Sequence, residues 1–387
     1  MLATLPGRTQ GLCLITEPLL ADLRLDRVTY ANLNLWATLL GALFCFPAGS
    51  AIDRFGLRWV TSALALLLGM TVWQLSALAG GVMVLFTLLL ATRAFGQSAL
   101  SVCSIATVGK WFPNRAGYAM GIYSVLLSVL FALAFGAVGY SVRVNGWRTA
   151  WVQIALALIF LITPLVVFVL REPKDREPRP DPERAQTGRE GEAVDLTLSQ
   201  ALRTSAFWLF AGAAASFNLV SSGLGLLNEA VLRERGFDQH TFHLFLIVTT
   251  LLSLVGQLAC GWLTRRCQYQ TLTLVALALY AAGLAGIPLI STLGQLWCVA
   301  ALVGVAGGMI IVIFFSVWSD LFGQRHLGRI QGAAQMLTVI SSALGPVLFA
   351  RCAAATGSYA SLLFALAAVS FVLAMAAKTI RLPRLTV

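Results

Sequence analysis

The chain has 387 residues, of which 58% are hydrophobic and 11% charged, and its mean hydropathy is +0.83. That is too little charge to coat a protein of this size in water, which excludes an ordinary soluble domain. The net charge of +11 does not point to nucleic acid, because the basic residues fall singly or in pairs between apolar runs.

In chain order the apolar runs lie near 1–20, 31–52, 60–79, 82–106, 119–140 and 149–170, then 205–228, 243–263, 271–290, 295–318, 331–351 and 359–377. A hydrocarbon core roughly 30 Å thick takes about 20 residues of helix. Lipid offers no partner to backbone polar groups, so each run is expected to be a helix. Outer-membrane barrel strands would alternate and be half as long. The expected fold class is therefore an all-α membrane protein of twelve transmembrane helices. No cofactor or metal is expected, because the seven cysteines and three histidines show no ligand spacing and no GxxxxGK[ST] loop occurs. The cysteines are read as reduced, buried side chains.

Residues 171–204 break the pattern with Arg171-Glu172-Pro173-Lys174-Asp175 and further Pro, Glu and Arg. Such a segment buries too little apolar surface to offset its ordering entropy. It is read as a cytoplasmic linker between a six-helix bundle at 1–170 and another at 205–387. Its end, 195–203, has helical leucine spacing and is expected to lie along the membrane surface. With both termini cytoplasmic, the inner loops and tail hold 18 Lys and Arg against 7 outside, in the sense of the positive-inside rule. The halves echo each other. Lys110-Trp111-Phe112-Pro113-Asn114-Arg115-Ala116-Gly117 after span 4 has a counterpart in Asp320 to Gly328 after span 10. Gly49 to Arg58 has one in Gly256 to Arg266. Two echoes at equivalent places favour duplication.

Charges within spans are costly and should face a cavity or a partner. Arg93 in span 4 is the clearest instance, with contact to solute and donation to span 1 carbonyls as alternative roles. Arg8 lies in Pro6-Gly7-Arg8-Thr9-Gln10-Gly11, which interrupts the first run; irregular backbone at membrane depth lines cavities. Arg8 is read as a planar clamp for a carboxylate, with a first span truncated at its start as the alternative. The candidate solute-binding set is Arg8, Gln10, Asn34, Arg93, Gln97, Tyr123, Asn218, Asn228 and Trp318. For each, a helix-to-helix hydrogen bond is the plainer role. Trp36, Gln257 and Gln335 extend the polar seam. Trp73, Trp111, Trp147 and Trp151 near span ends are read as interfacial anchors.

Gly49-Ser50-Ala51-Ile52-Asp53-Arg54-Phe55-Gly56-Leu57-Arg58 resembles the GxxxDRxGxR loop of the major facilitator superfamily. That resemblance implies two six-helix bundles and a loop that latches the halves in the outward-facing state and is broken and remade as they rock. It assigns conformational gating to Gly49, Asp53, Arg54, Gly56 and Arg58, with Arg115 and Arg325 in the partner loops. Arg93-Ala94-Phe95-Gly96-Gln97, Lys110 to Gly117, Gly146-Trp147-Arg148, Gly345-Pro346 and Gly357-Ser358-Tyr359 resemble the monocarboxylate and oxalate/formate-like branch. The expected function is alternating-access transport of a small organic solute, a carboxylate being favoured, driven by its own gradient or a coupled proton. A transporter-like receptor or assembly protein is the alternative. The chain is expected to be no enzyme, to bind no nucleic acid, and to work as a monomer in a bacterial inner membrane.

Overall fold

A computed structural model of the chain describes residues 1–78, 81–112, 115–171, 195–380 and 382. Among them every regular element is helical. Most of the expected linker, 172–194, lies outside the described residues, as do Pro113 and Asn114. Eleven helices among the described residues are long and apolar enough to cross a membrane, where twelve were expected.

The difference is the first segment. A 3-10 turn at Leu2–Gly7 is followed by α1, Thr9–Cys13, and α2, Thr16–Leu23. Pro6 lacks a backbone donor, and Arg8 is extended at φ −92° and ψ 156°, so no continuous helix forms there. Next come α3 (Arg27–Ala42), α4 (Cys45–Phe55), α5 (Leu57–Ser76) and α6 (Val82–Thr92). A π-helical stretch, Arg93–Leu100, joins α6 to α7 (Ser101–Trp111). Then follow α8 (Ala116–Asn145), α9 (Trp147–Leu156), a second π stretch at Ala157–Ile162, and α10 (Thr163–Val169). The remainder is α11 (Leu198–Leu202), α12 (Ser205–Arg233), α13 (Gln239–Leu263), α14 (Tyr269–Gly286), α15 (Leu293–Leu321), α16 (Leu327–Thr356) and α17 (Ala360–Thr379).

The chain divides into two compact units, one holding 1–111, 126–177 and 325–339, the other 112–125, 178–324 and 340–387. The first unit is packed around Leu12, Ile15, Leu19, Leu68, Val72, Trp147 and Trp151. Trp147 and Trp151 are buried, whereas Trp73 and Trp111 are exposed, so only the latter pair can serve as interfacial anchors. Burial of Trp147 is explained by its partner: its indole N–H donates to Asp22 Oδ2 at 2.7 Å, and Arg148 reaches the same oxygen at 3.3 Å. The second unit has an aromatic core of Phe207, Phe314, Phe322 and Trp318. There α13 and α15 approach through Gly256, Gly304 and Gly308; a methyl on Gly304 would lie 2.6 Å from the Thr249 carbonyl oxygen. Small residues at such crossings supply the close packing that stands in for a hydrophobic drive in lipid. None of the seven cysteines is in a disulfide; Cys45, Cys103 and Cys260 are buried as expected, but Cys13 and Cys298 are exposed.

Candidate functional site

Two places in the first unit gather the residues singled out from sequence. At the first, the break in the opening segment meets the π-helical stretch. Arg93 is 3% exposed and its Nη1 donates to the Gly7 carbonyl at 3.3 Å, to Thr9 Oγ1 at 3.1 Å and to Gln97 Oε1 at 2.7 Å. Its Nη2 donates to Asn34 Oδ1 at 3.0 Å. Arg93 thus ties both sides of the break to α3. All four acceptors are neutral, so its charge stays in the interior with hydrogen bonds but no carboxylate among the described residues. The π turn re-aims side chains relative to a plain α-helix, a feature often found at functional sites. Close backbone contact makes the geometry possible: a methyl on Gly96 would lie 3.0 Å from Gly7 Cα, and one on Gly41 2.9 Å from Arg93 Cβ.

Arg8 stands at the break itself and is half-buried. Its Nε donates to Thr4 Oγ1 at 2.8 Å and its Nη2 to Ser101 Oγ at 3.1 Å, while its guanidinium carbon lies 5.4 Å from the Phe131 ring centroid. Two permanent cations therefore serve one interruption of the helix, Arg8 at it and Arg93 bonded to residues 7 and 9 on either side.

The second place is the Gly49 to Arg58 loop. Asp53 Oδ1 accepts from the Gly328 N–H at 3.1 Å and Oδ2 from the Arg329 N–H at 3.0 Å. These are orphan donors in the first turn of α16, where a carboxylate is favoured by the helix dipole. Lys110 Nζ pairs with Asp53 Oδ1 at 3.4 Å, with side-chain exposures of 15% and 5%. The backbones of α4 and α16 touch through glycine. A methyl on Gly49 would collide with the Gly328 carbonyl, and one on Gly332 would lie 2.5 Å from the Cys45 carbonyl oxygen. Gly56 has φ +83°, which frees the chain to turn between α4 and α5. Arg54 and Arg58 stack on Phe55 and Trp59, each at 5.2 Å. Arg115 and Arg325 are exposed.

Of the remaining candidates, Tyr123, Asn218 and Trp318 belong to the second unit. In the second unit Asn218 is half-buried and donates to the Ala214 carbonyl of its own helix at 2.8 Å. Tyr123 meets Phe315 edge-on at 6.1 Å. Trp318 is 0% exposed in the aromatic core, where it fills space. The side chains of Gln10 and Asn228 lie outside the described residues. Gln257 is buried and donates to Ser253 Oγ at 3.3 Å, Trp36 is exposed, and Gln335 is half-buried.

Sequence reasoning missed Thr4, Thr9 and Ser101 around the arginines, because short hydroxyl residues carry no charge signal. It also did not pair Lys110 with Asp53. The spacing Arg93 to Ser101 would have placed both on one helical face, but the π turn that shifts this register has no composition of its own.

A family model of the Major Facilitator Superfamily matches residues 10–346 and 229–384. An uncharacterized 38 kDa protein of Thermoproteus tenax is 27% identical over 380 residues, covering 95% of this chain and 86% of that one. The uncharacterized transporter YybO of Bacillus subtilis is 29% identical over 138 residues, 32% of this chain and 30% of that one. Among solved structures, the human organic anion transporter MFSD10 superposes with a TM-score of 0.70 at 16% identity, covering 97% of this chain and 96% of that one. The transporter FucP, in the outward conformation, gives 0.68 at 17% identity with 97% and 96% coverage. The proton:xylose symporter XylE gives 0.65 at 13% identity with 97% and 93% coverage. At these identities the structural likeness carries the fold, while the sequence match carries the family: the chain belongs to the Major Facilitator Superfamily of multi-pass membrane transporters.

Proposed function

We propose that this transporter moves a small organic anion, a carboxylate, by alternating access. The observation that carries the reading is the pair of arginines at the broken first segment. Arg8 is half-buried beside Thr4, Ser101 and Phe131, and a guanidinium fork matches a carboxylate in shape and charge. Arg93 is buried, and both its terminal nitrogens are engaged in tying the break to α3. Arg8 is therefore assigned to solute contact, and Arg93 to positioning. The resemblance of Arg93 to Gln97 and of Lys110 to Gly117 to monocarboxylate-type carriers points the same way. Asp53, with Gly49 and Lys110, is assigned the latch on the first turn of α16. Both termini are placed in the cytoplasm of a bacterium on the arginine and lysine count, and the working unit is assigned as the monomer.

Of the relatives, one is named for organic anions and two for sugars, so the test sets these against each other. Purified protein in liposomes is given labelled small carboxylates, fucose and xylose, with and without an inward proton gradient. Saturable carboxylate uptake is expected, abolished by Arg8→Gln and raised by the gradient if a proton is coupled. Uptake of sugar alone, or no flux of any solute, defeats the reading.

A further inference from the structure

The buried guanidinium of Arg93 is incompletely met by the bonds its two terminal nitrogens make. Its Nε–H has no hydrogen-bond partner among the described residues, and its charge faces no counter-charge. Glu17, Asp22, Asp26 and Asp53 are the acids of residues 1–111, and none of them pairs with it. A permanent cation held in the interior by neutral oxygens alone keeps much of its desolvation cost.

A second such donor stands on α3. Tyr30 is 6% exposed, and its hydroxyl has no partner among the described residues. Tyr30, Asn34, Ala37 and Gly41 recur at helical spacing, so they share the face of α3 that meets Arg93. Gly41 lies against Arg93 Cβ, and Asn34 Oδ1 accepts from Nη2 at 3.0 Å. The Arg93 side chain therefore runs along that face from Gly41 toward Tyr30, and Tyr30 is near enough to act on it electrostatically. Leu12, Ile15 and Leu19 belong to the same buried cluster as Tyr30, an apolar setting in which charges interact strongly.

Two buried donors that lack an acceptor, beside a cation that lacks an anion, call for one species. A water would accept from both, but it brings two hydrogens of its own and leaves the charge unopposed. We infer that Arg93 and Tyr30 hold a single small monovalent anion, a halide or the carboxylate group of a solute. It accepts from the Arg93 Nε–H and the Tyr30 hydroxyl and neutralises the guanidinium. The site is separate from the contact assigned to Arg8, whose side chain bonds to Thr4 and Ser101, and does not rest on that assignment.

Tyr30→Phe is the variant that tests it, because it removes an unpartnered hydroxyl and leaves every bond of Arg93 in place. Thermal midpoints of the full chain in detergent are measured in methanesulfonate, chloride and formate at equal ionic strength. In methanesulfonate Tyr30→Phe should melt at or above the wild-type midpoint. In chloride the wild type should gain about 2 °C and Tyr30→Phe none; general salt effects cancel in that difference. Tyr140→Phe, which removes an exposed tyrosine hydroxyl, should gain as wild type does. Arg8→Gln should also keep the gain in chloride, which separates this site from the Arg8 contact. A gain in chloride identifies an inorganic anion as occupant; a gain in formate alone, again dependent on Tyr30, supports the site and identifies a carboxylate. The proposal fails if neither anion stabilises the wild type, if Tyr30→Phe gains equally, or if Tyr140→Phe or Arg8→Gln loses a chloride gain that wild type shows. It fails too if Tyr30→Phe melts lower in methanesulfonate, since the hydroxyl would then have a partner within the protein.

Discussion

Arg93 and Arg8 are the same residue type within one membrane unit, yet their surroundings set them different tasks. Arg93 gives its N–H groups to four neutral oxygens while 3% exposed. Its replacement by Gln leaves the buried Gly7 carbonyl without this donor, at roughly 1–3 kcal/mol, and takes a charge-assisted bond from the half-buried Asn34 side chain at roughly 1.5–3 kcal/mol. Arg93→Gln should therefore lower the thermal midpoint in detergent by about 5 °C or more. Arg8→Gln, at a half-buried position, should leave that midpoint nearly unchanged and remove carboxylate-induced stabilisation. A thermal-shift series with and without a carboxylate separates the two effects, and equal ligand stabilisation of wild type and Arg8→Gln would sink the clamp assignment. Asp26, outside the membrane segments, gives a pH effect. As the cap of α3 it accepts from the Thr29 N–H at 2.9 Å, and bonding to Thr29 holds its carboxyl below the usual carboxylate range. A lowered folded pKa means that the carboxylate stabilises above the unfolded value, and that this is lost as pH falls through the folded one. Asp26→Asn should thus abolish a component of acid lability seen only below about pH 4; a melting curve that is equally acid-sensitive in the variant would refute it.

At the scale of elements, what distinguishes this bundle is how closely some helices cross. Gly49 and Gly328 bring α4 and α16 to backbone contact, and Asp53 then spans the remaining gap to the α16 N-terminus. A methyl at Gly49 has nowhere to go, since its obstacle is a carbonyl and not a movable side chain. Gly49→Ala should cost about 1–3 kcal/mol through forced separation of the helices. Gly136→Ala, where a methyl meets nothing within 4 Å, should be neutral or mildly stabilising. Denaturation of the two variants side by side checks the contrast, and equal losses would show that the α4 and α16 contact is not what Gly49 serves. Much of this was legible in the sequence. Eleven of the apolar runs are helices because length and continuity in lipid leave no other option, and the Gly49 to Arg58 spacing announced a tight crossing with an acid beside it. What Asp53 binds was not legible, because its partners are backbone N–H groups at residues 328 and 329, which look alike in every sequence. The broken opening segment was half legible: Pro6, Gly7 and Gly11 signalled an interruption. That the interruption is stapled by Arg93 depends on a distance between segments more than 80 positions apart. The burial of Trp147 and Trp318 was not legible for a related reason: position near a span end or within a span does not reveal which neighbours fill the space around a ring.

At the scale of the whole molecule, transport requires that some closed crossings open, and the latch contacts suggest which to watch. Asp53 contributes through the charge it presents to the first turn of α16, an effect of up to about 2 kcal/mol in partly buried geometry, and through Lys110. An equilibrium between conformers shifts about tenfold for each 1.4 kcal/mol. Asp53→Asn keeps size and one acceptor but removes charge, so it should raise the population with the crossing open by roughly tenfold. The protein contains its own reporter of that event. Cys45 is buried on the turn of α4 that faces α16, its carbonyl lying where a methyl on Gly332 would reach, so its labelling rate is taken as the readout of separation of α4 and α16. Cys13 and Cys298 are already exposed and serve as internal standards in the same sample. Maleimide labelling of membranes, read by peptide mass spectrometry, should show Cys45 modified about tenfold faster in Asp53→Asn than in wild type, with Cys13 and Cys298 unchanged. A uniform rise at all three cysteines would mean unfolding, and no rise at Cys45 would mean that Asp53 does not hold this crossing shut. If the arginine pair binds the transported solute, saturating carboxylate should change the Cys45 rate in wild type as well. A ligand can shift such an equilibrium only by its difference in affinity for the two conformers, so the size of that change measures how strongly solute binding and the latch are coupled.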